Sequence, residues 1–345
     1  MNINDLFQVA IDKGASDIHL EVGLLPVLRI DGELSPLNKF PQIINKDMKE
    51  MIASMLTDLQ MGLLEKNRDL DISYETGETR FRVNIHYERE HLGLVARVIS
   101  NDMPTLESIA MPESIKDLLE NTRGLVLMTG PTGCGKSTTL AAMINHINNN
   151  FSRKIITLED PIEFLFKSKK SIIVQRQMGS DIPNFESGLK HALRQDPNVI
   201  MVGEMRDFET IAATITLAET GHLVLATLHT YNAAQSIDRI IDVFPPHQQN
   251  QVRAQLSMVL EAVISQRLIP GKKGGRVATR EVMIKNAAIG NLIRENKIAQ
   301  IQSVIQSGGS EGMLSAERDI RNLLEGGMIS EDVAETQLRI MGLDK

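Results

Sequence analysis

The sequence predicts an α/β protein of two domains, a small α+β domain followed by a larger domain built on a parallel sheet. Three observations predict it: the length, a change in hydrophobic pattern near residue 116, and apolar runs that alternate with helical segments beyond that point. The 345 residues are many for one domain and suit two. We place the first domain at 1–100, a linker at 101–115 and the second domain at 116–345.

The first domain begins with a short amphipathic helix. Two stretches that follow it, SDIHLEV and PVLRIDGEL, alternate polar and apolar residues as half-buried strands do. After a helical stretch near 47–66, alternation returns through residue 99, where Gly77 marks a hairpin turn and Gly93 a break between two strands. The pattern predicts a meander of antiparallel strands. Residues 101–115 contain two prolines and lose the alternation, as linkers do.

The second domain has the pattern of a parallel sheet in its first part. Its apolar runs predict strands that are buried on both faces, and segments with helical spacing separate them: LVLMT at 125–129, IITL at 155–158, VIMV at 199–202 and LVLATL at 223–228. We therefore place the core of this domain at 116–245. Residues 246–345 are predicted to be mostly helical, except that GKKGGRVATREVMI has the pattern of a hairpin.

Composition excludes several classes of protein. The net charge is −7 and only 3% of residues are aromatic, which argues against a protein that binds nucleic acid. The single cysteine, Cys134, allows neither an intramolecular disulfide nor a zinc module and is compatible with a reducing cytoplasm. The N-terminal residues lack a signal-peptide pattern, and no apolar run approaches 18 residues. We expect a cytoplasmic protein that partners recruit to any membrane at which it works.

The strongest motif is GPTGCGKS at 130–137, which has the spacing of a phosphate-binding loop. Glycines let successive backbone N–H groups surround phosphate oxygens, and the helix that follows directs its positive end at the anion. Lys136 is predicted to contact the β and γ phosphates of ATP, and Ser137 to bind Mg²⁺. Cys134 is predicted to be a structural substitute for Ser. The predicted nucleotide-binding residues are Gly130, Pro131, Thr132, Gly133, Cys134, Gly135, Lys136, Ser137 and Thr138.

Reactive side chains follow the other three runs: Glu159, Asp160 and Glu163 after IITL, Glu204 and Arg206 after VIMV, and His229 after LVLATL. Because ligands bind outside the carboxyl ends of parallel strands, we expect Lys136, Glu163, Glu204 and His229 to converge at one edge. Phosphoryl transfer to water needs charge neutralisation and a group that orients the water. Glu163 and Glu204 are candidates to polarise that water or to hold Mg²⁺, and His229 is a candidate to contact the γ-phosphate or to relay a subunit interface.

Each of these residues also has a plain structural interpretation. Glu204 suits the start of a helix, Glu163 an exposed surface and His229 a satisfied core position, while His222 directly after Gly221 suits the cap of a helix end. Arg82 and Arg97 lie in clear strand patterns, FRVN and ARVI, where solvated strand arginines are the ordinary finding. An arginine finger from a neighbouring subunit or domain is the alternative for them.

The chain resembles the PilT-type twitching-motility ATPases, which retract type IV pili, within the secretion-ATPase superfamily. The motifs that carry the resemblance are ASDIHLEVG, GPTGCGKSTT, ITLEDPIEF, LRQDPNVIMVGEMRD and AETGHLVLATLHT. It implies a PAS-like N-terminal domain, a RecA-like P-loop ATPase domain with a helical C-terminal extension, and a hexameric ring that uses ATP and Mg²⁺. It further implies catalytic roles for Glu163, Glu204 and His229, and nucleotide contacts for Arg82, Arg97 and His222. Gly203 stands where many P-loop NTPases have a Mg²⁺-binding Asp, and Glu159 is a candidate to bind the metal through water.

The resemblance also implies partners: an inner-membrane pilus platform protein and other pilus ATPases. GEMRD and the tail NLIRENKIAQIQSVIQSGGSEGM resemble the retraction type, and the tetracysteine module of the assembly type is missing. Departures from the pattern are Cys134, Asn198, Gly290 and GMLSAER. The alternatives are a pilus assembly, type II secretion or accessory retraction ATPase, a nucleic-acid translocase, and a nucleotide switch without turnover.

Overall fold

The computed structural model describes residues 1–30, 32–77, 79–99 and 102–342. The chain forms two compact units. The first contains Met1–Asp102 together with Glu163–Leu165, and the second contains Met103–Ile162 and Phe166–Lys345. The predicted linker begins at Asn101, which lies outside the described residues.

The first unit is an antiparallel sheet of six strands in the order β3-β2-β1-β6-β5-β4, with three helices. Its elements are α1 (Ile3–Asp12), β1 (Asp17–Leu20), β2 (Val27–Ile30), β3 (Glu33–Pro36), α2 (Asn45–Met55), α3 (Asp58–Asn67), β4 (Asp69–Thr76), β5 (Thr79–Glu88) and β6 (His91–Ile99). One face of the sheet packs with the helices around a buried apolar cluster that includes Phe7 and Phe81. The last three strands form the predicted meander.

Three local predictions for this unit need correction. The helical stretch near 47–66 is two helices, because Thr57 and Gln60 form a capping box that begins a new helix. PVLRIDGEL folds back into the β2–β3 hairpin, across Asp31, which the structure does not describe. Gly93 is not a break. It lies within β6, where a Cβ would meet the His86 ring at 2.8 Å, and the turn falls at Arg89 and Glu90.

The second unit is built on a seven-stranded sheet in the order β13-β12-β7-β11-β10-β8-β9, parallel except for β13. Its strands are β7 (Gly124–Thr129), β8 (Lys154–Glu159), β9 (Ile172–Gln177), β10 (Val199–Val202), β11 (Leu223–Leu228), β12 (Leu260–Pro270) and β13 (Arg276–Ile284). Its helices are α4 (Ser114–Glu120), α5 (Lys136–Asn150), α6 (Phe185–Ala192), α7 (Phe208–Glu219), α8 (Ala233–Asp242), α9 (Pro246–Val259), α10 (Ala287–Arg294), α11 (Ile301–Ser307), α12 (Ala316–Glu325) and α13 (Glu331–Ile340).

The central strands of this sheet are buried on both faces, as their apolar sequences predict. Along β7, Leu125 and Leu127 pack into one apolar cluster, and Val126 and Met128 pack into another on the opposite face. Helices cover both faces, which is the arrangement that a parallel sheet requires. The predicted α/β class is confirmed.

The prediction for residues 246–345 was wrong in one respect. LEAVISQRLIP was placed among the helices, but it forms β12, which pairs in parallel with β7 and begins directly after α9. Most of this strand is buried, and its apolar residues fall into the runs AVI and LI on either side of Ser265, Gln266 and Arg267, without regular alternation. A run of this kind has no period that separates a buried strand from a buried helix.

Candidate nucleotide-binding site

The loop 130–135 joins the end of β7 to the start of α5. Gly130, Gly133 and Gly135 have φ angles of +143°, +76° and +86°, which L side chains rarely adopt. A Cβ on Gly130 would also clash with the backbone carbonyl of Gln266 in β12, and it would lie 2.6 Å from Cys134 Sγ. Glycine at 130 is therefore needed both for the backbone angle and for the close approach of β12.

The start of α5 is suited to bind an anion. Gly135 is its N-cap residue and supplies no side-chain oxygen to the first N–H groups of the helix. Lys136 is buried, and its Nζ donates to the carbonyl oxygens of Gly130 (2.8 Å) and Pro131 (3.0 Å), which holds the ammonium at the loop. The N–H groups at a helix N-terminus and a lysine together fit a phosphate chain.

Magnesium would have few protein ligands here. Within the described residues, no group of three or more His, Cys, Asp or Glu side chains is placed to hold a metal ion. Ser137 is the second residue of α5 and is half-buried beside the loop. Since Mg²⁺ in nucleotide sites is held mainly by phosphate oxygens and water, a single hydroxyl such as Ser137 fits it better than a cage of carboxylates.

Cys134 lies inside the loop and is only 3% exposed. Burial raises the pKa of its thiol, although the Lys136 ammonium acts in the opposite direction. The thiol is therefore protonated near neutral pH and a poor nucleophile, since the thiolate is the reactive form. This agrees with the predicted structural role for Cys134.

Glu204 and His229 come together at the ends of two neighbouring strands. Glu204 follows β10 and His229 follows β11, and these strands pair in parallel. Glu204 Oε2 lies 3.4 Å from His229 Nε2, while Glu204 Oε1 pairs with Arg206 Nε at 2.5 Å. The Glu204 side chain is 14% exposed, so its carboxylate is half-enclosed between a histidine and an arginine.

Short hydrogen bonds to β11 hold the turn that carries Glu204. Thr227 Oγ1 donates to the carbonyl of Gly203 at 2.5 Å, and the Met205 N–H donates to the carbonyl of Thr227 at 3.0 Å. At Gly203, a Cβ would lie 3.0 Å from the Leu158 carbonyl oxygen of β8. The turn is thus fixed by the strands on both sides of it, which sets the direction of the Glu204 side chain.

The phosphate loop lies at the same edge of the sheet as this pair. Thr129, the last residue of β7, pairs with Leu228 directly before His229. Glu159 ends β8 on the other side of β10 and is buried. Its Oε1 accepts hydrogen bonds from Thr157 Oγ1 (2.6 Å) and Gln175 Nε2 (3.0 Å). Its role as a water-mediated Mg²⁺ ligand stays a prediction.

The sheet does not position every predicted residue. Glu163 lies four residues beyond the end of β8, in the segment Glu163–Leu165 that groups with the first unit. The strand ends alone therefore do not bring Glu163 to Lys136, contrary to the simple argument from strand order. Its catalytic role stays a prediction from the resemblance.

His222 lies at the opposite end of β11 from His229. Leu223 pairs with Gly124 at the start of β7, so the strand separates His222 from the loop edge by roughly 20 Å. Its Nδ1 lies 3.1 Å from the carbonyl oxygen of Leu217, to which it can donate, and 3.2 Å from Thr220 Oγ1. These contacts cap the end of α7, which is the structural interpretation weighed for His222.

Arg82 and Arg97 are cross-strand partners on β5 and β6. Arg97 Nε donates to Asp17 Oδ1 at 2.8 Å, and its side chain is 66% exposed. Burial works to raise the pKa of Asp17, but the hydrogen bonds from Arg97 and Ser16 outweigh it and hold that pKa below its ordinary value. Both arginines are exposed in the described unit, and their role as nucleotide sensors stays a prediction.

Comparison with known proteins decides the family. The family model described as "Type II/IV secretion system protein" matches residues 1–308. The chain belongs to this family. It is 46% identical to the type IV pilus retractation ATPase PilT of Pseudomonas aeruginosa over 99% of each chain, and 45% identical to the twitching motility protein of Neisseria gonorrhoeae over 90% and 83% of the two chains. A crystal structure of the pilus retraction motor PilT with bound ADP matches with a TM-score of 0.92 and 43% identity over 97% and 96% of the two chains.

These relatives of the secretion family confirm the predicted resemblance to the retraction type, the α/β fold and the assignment as an ATPase. In the part of the chain that the structure describes, no helix is long and apolar enough to cross a membrane.

The sequence did not reveal the contacts that two residues make in this candidate nucleotide-binding site. Arg206 was noted only as a neighbour of Glu204 in the motif, but it pairs with that carboxylate. Gln266 was not considered, because its segment was assigned to the helical part. A buried glutamine within an apolar strand was the available signal, since a buried polar group needs hydrogen-bond partners.

Proposed function

We propose that this chain is an ATP-hydrolysing motor that drives the retraction of a type IV pilus. The observation that carries the proposal is the match to a named retraction ATPase along nearly the whole of both chains. The phosphate loop and the Glu204–His229 pair supply the groups that ATP hydrolysis needs. Because the match to the retraction ATPase extends through both units, it supports the same mechanical role for this chain as well as the same reaction.

The proposed chemistry is assigned to five residues. Lys136 neutralises charge on the β and γ phosphates, and Ser137 binds Mg²⁺, which supplies further charge neutralisation in the transition state. Glu204 orients the attacking water, and His229, in contact with Glu204, contacts the γ-phosphate. Arg206 holds the Glu204 carboxylate in place from the other side. Most of the acceleration then comes from positioning and electrostatics, as in other phosphoryl transfers.

We assign the motor a homohexameric ring in the cytoplasm, recruited to the inner membrane by the pilus platform protein. Arg82 and Arg97 keep the nucleotide contacts, and Glu163 keeps the catalytic role, that the resemblance implies. Closure of successive subunits around their nucleotides would convert hydrolysis into movement of a central partner. Direction of work depends on the order of those closures, so it needs a test in cells.

The decisive test is a gene deletion in the source organism, complemented by the wild-type gene or by Glu204→Gln. We expect cells with excess pili and no twitching, restored by the wild type alone. Glu209→Gln is the matched control, since Glu209 is an exposed acid in the first turn of α7. Bald deletion cells would contradict retraction and indicate an assembly ATPase.

A second test concerns the reaction itself. The purified chain should release phosphate from ATP with Mg²⁺, and Lys136→Ala should abolish this release. Lys190→Ala, a change of an exposed lysine on α6, should leave it unchanged. Absence of turnover in the wild-type protein would favour a nucleotide switch, and stimulation by DNA would favour a translocase.

A further inference from the structure

Gln266 touches the phosphate loop although it lies on another strand, β12, and 132 residues later in the chain. It is 3% exposed. Its Nε2 donates to the Cys134 carbonyl in the loop at 2.7 Å, and its Oε1 accepts from Thr139 Oγ1 on α5 at 3.1 Å. Its backbone carbonyl faces Gly130, where any Cβ would clash. One residue therefore contacts the loop at its first residue and near its end, and also contacts the helix that follows.

Arg280 sets the orientation of this carboxamide. It is 5% exposed, and its Nε donates to Gln266 Oε1 at 2.8 Å. Because Oε1 accepts from both Arg280 and Thr139, the amide nitrogen must face Cys134, which fixes the choice between the two orientations of a glutamine. A cation that donates to the amide oxygen also polarises the amide and strengthens the hydrogen bond from Nε2.

Arg280 is in turn fixed by residues 109–110, which lie within the predicted linker at 101–115. Its two terminal nitrogens donate to the carbonyls of Ala110 (3.1 Å) and Ile109 (2.7 Å). Its backbone N–H donates to Asp319 Oδ2 of α12 at 2.7 Å. Continuous hydrogen bonds thus run from residues 109–110 through Arg280 and Gln266 to the Cys134 carbonyl.

We propose that Gln266 is a positioning residue of the phosphate loop, and that Arg280 orients it and links the segment at 109–110 to that loop. The proposal rests on the proposed function only in that the loop binds a nucleotide. Glycine at positions 133 and 135 gives the loop backbone access to many conformations. The hydrogen bond from Gln266, which lies outside the loop, to the Cys134 carbonyl limits the conformations that the loop can adopt. Loss of the anchor would weaken nucleotide binding without removing any group that touches the nucleotide.

Cys134 supplies a direct test, because it is the only cysteine in the chain and lies in the anchored loop. Its reaction with a thiol reagent in the full-length protein without nucleotide reports how often the loop opens. We expect Gln266→Ala to label about tenfold faster than wild type, which corresponds to about 1.4 kcal/mol in the opening equilibrium. ADP affinity should fall by a similar factor. Equal labelling rates would overturn the proposal.

Gln266→Glu separates positioning from general stability. Its carboxylate still accepts from Arg280 and Thr139, so the melting temperature should stay close to that of wild type. The carboxylate of Gln266→Glu can no longer donate to the Cys134 carbonyl, and one of its oxygens faces that carbonyl oxygen without a proton between them. Cys134 should therefore still be labelled faster than in wild type. If the Cys134 labelling rate rose only in variants whose melting temperature fell, Gln266 would have a merely structural role.

Gln302→Ala is the matched control. Gln302 donates to the buried carboxylate of Glu281 at 3.1 Å, in the same unit but outside the hydrogen-bonded chain that runs from residues 109–110 to Cys134. It should label at the wild-type rate. Arg280→Met should label faster than wild type and should add little to Gln266→Ala, because both act through one hydrogen-bonded chain. Fully additive effects would overturn the assigned role of Arg280.

Discussion

The two sheets of this protein carry their charged residues in different places. In the seven-stranded sheet, the central strands are apolar on both faces, and Lys136, Glu204 and His229 follow the strand ends. In the six-stranded sheet, the charges lie along the strands, and Asp17, Arg97 and Arg82 form a row across β1, β6 and β5. The contrast follows from what covers each sheet.

The central parallel strands of a sheet with helices on both faces leave little place for charge except at their ends. Side chains there come from different strands and meet in a half-enclosed region, where electrostatic effects are strong. An antiparallel sheet with one open face can carry charge along every strand, but water screens those charges. We therefore expect substitutions at the strand ends of the second unit to have large effects and those on the open face of the first unit small ones.

The largest effect is expected for Glu204→Gln. The amide cannot act as the carboxylate that orients water, so ATP should still bind while phosphate release falls by about 10²–10⁴-fold. Binding is measured with a fluorescent nucleotide and turnover by steady-state phosphate release, with Glu209→Gln as the control. Normal turnover in Glu204→Gln would show that Glu204 does not orient the attacking water. It would also weaken the expectation that substitutions at the strand ends of the second unit have the largest effects.

A pair of glycine variants tests the loop at the end of β7. Gly130→Ala adds a Cβ that clashes with β12, whereas a Cβ on Gly133 meets nothing within 4 Å. We expect ADP affinity to fall by about 100-fold or more for Gly130→Ala. For Gly133→Ala we expect roughly fivefold, since strain at positive φ of about 1 kcal/mol is its main cost. Equal losses would show that the contact with β12 does not matter.

The two histidines of β11 test opposite ends of one strand. His229→Ala should lower kcat roughly tenfold or more, because it removes a group at the reacting end of the sheet. His222→Ala should lower the free energy of unfolding by about 1 kcal/mol through the lost cap of α7, with turnover close to wild type. Urea denaturation and phosphate release measure the two effects. A catalytic defect in His222→Ala at full stability would favour the role that the resemblance implies.

The smallest effect is expected in the first unit, where the buried Asp17 carboxylate pairs with the exposed Arg97 side chain. The pKa of Asp17 is lowered below 3.8 in the folded chain, so its ionised form contributes stability above that pH. The contribution is lost as pH falls through the folded-state pKa. Because Arg97 is mostly exposed, Asp17→Asn should cost less than about 1 kcal/mol at neutral pH and progressively less in acid.

Urea denaturation of Asp17→Asn and wild type across this acidic range measures the effect. The control is Glu33→Gln, a change of an exposed residue in β3. The difference between its free energy of unfolding and that of wild type should not shrink as the pH falls. A constant difference at all pH values would mean that Asp17 acts through packing and not through its charge.

The sequence by itself determined the loop, the four strands β7, β8, β10 and β11, and the order of reactive residues along the chain. These are local properties: GPTGCGKS needs its glycines within eight residues, and VIMV and LVLATL are apolar because both faces of each strand are covered. The α/β class follows from the same local patterns. The family resemblance added roles for residues such as Glu163 and Arg82 that the patterns alone left open.

Only the tertiary structure decided which distant residues touch. The insertion of β12 beside β7 brings Gln266 to a loop 132 residues earlier. Strand order and register depend on long-range packing, and a mostly buried segment such as β12, in which polar and apolar residues do not alternate regularly, carries no period to reveal them. The anchored loop is therefore a product of the fold, although every residue of the loop itself is recognisable in the sequence.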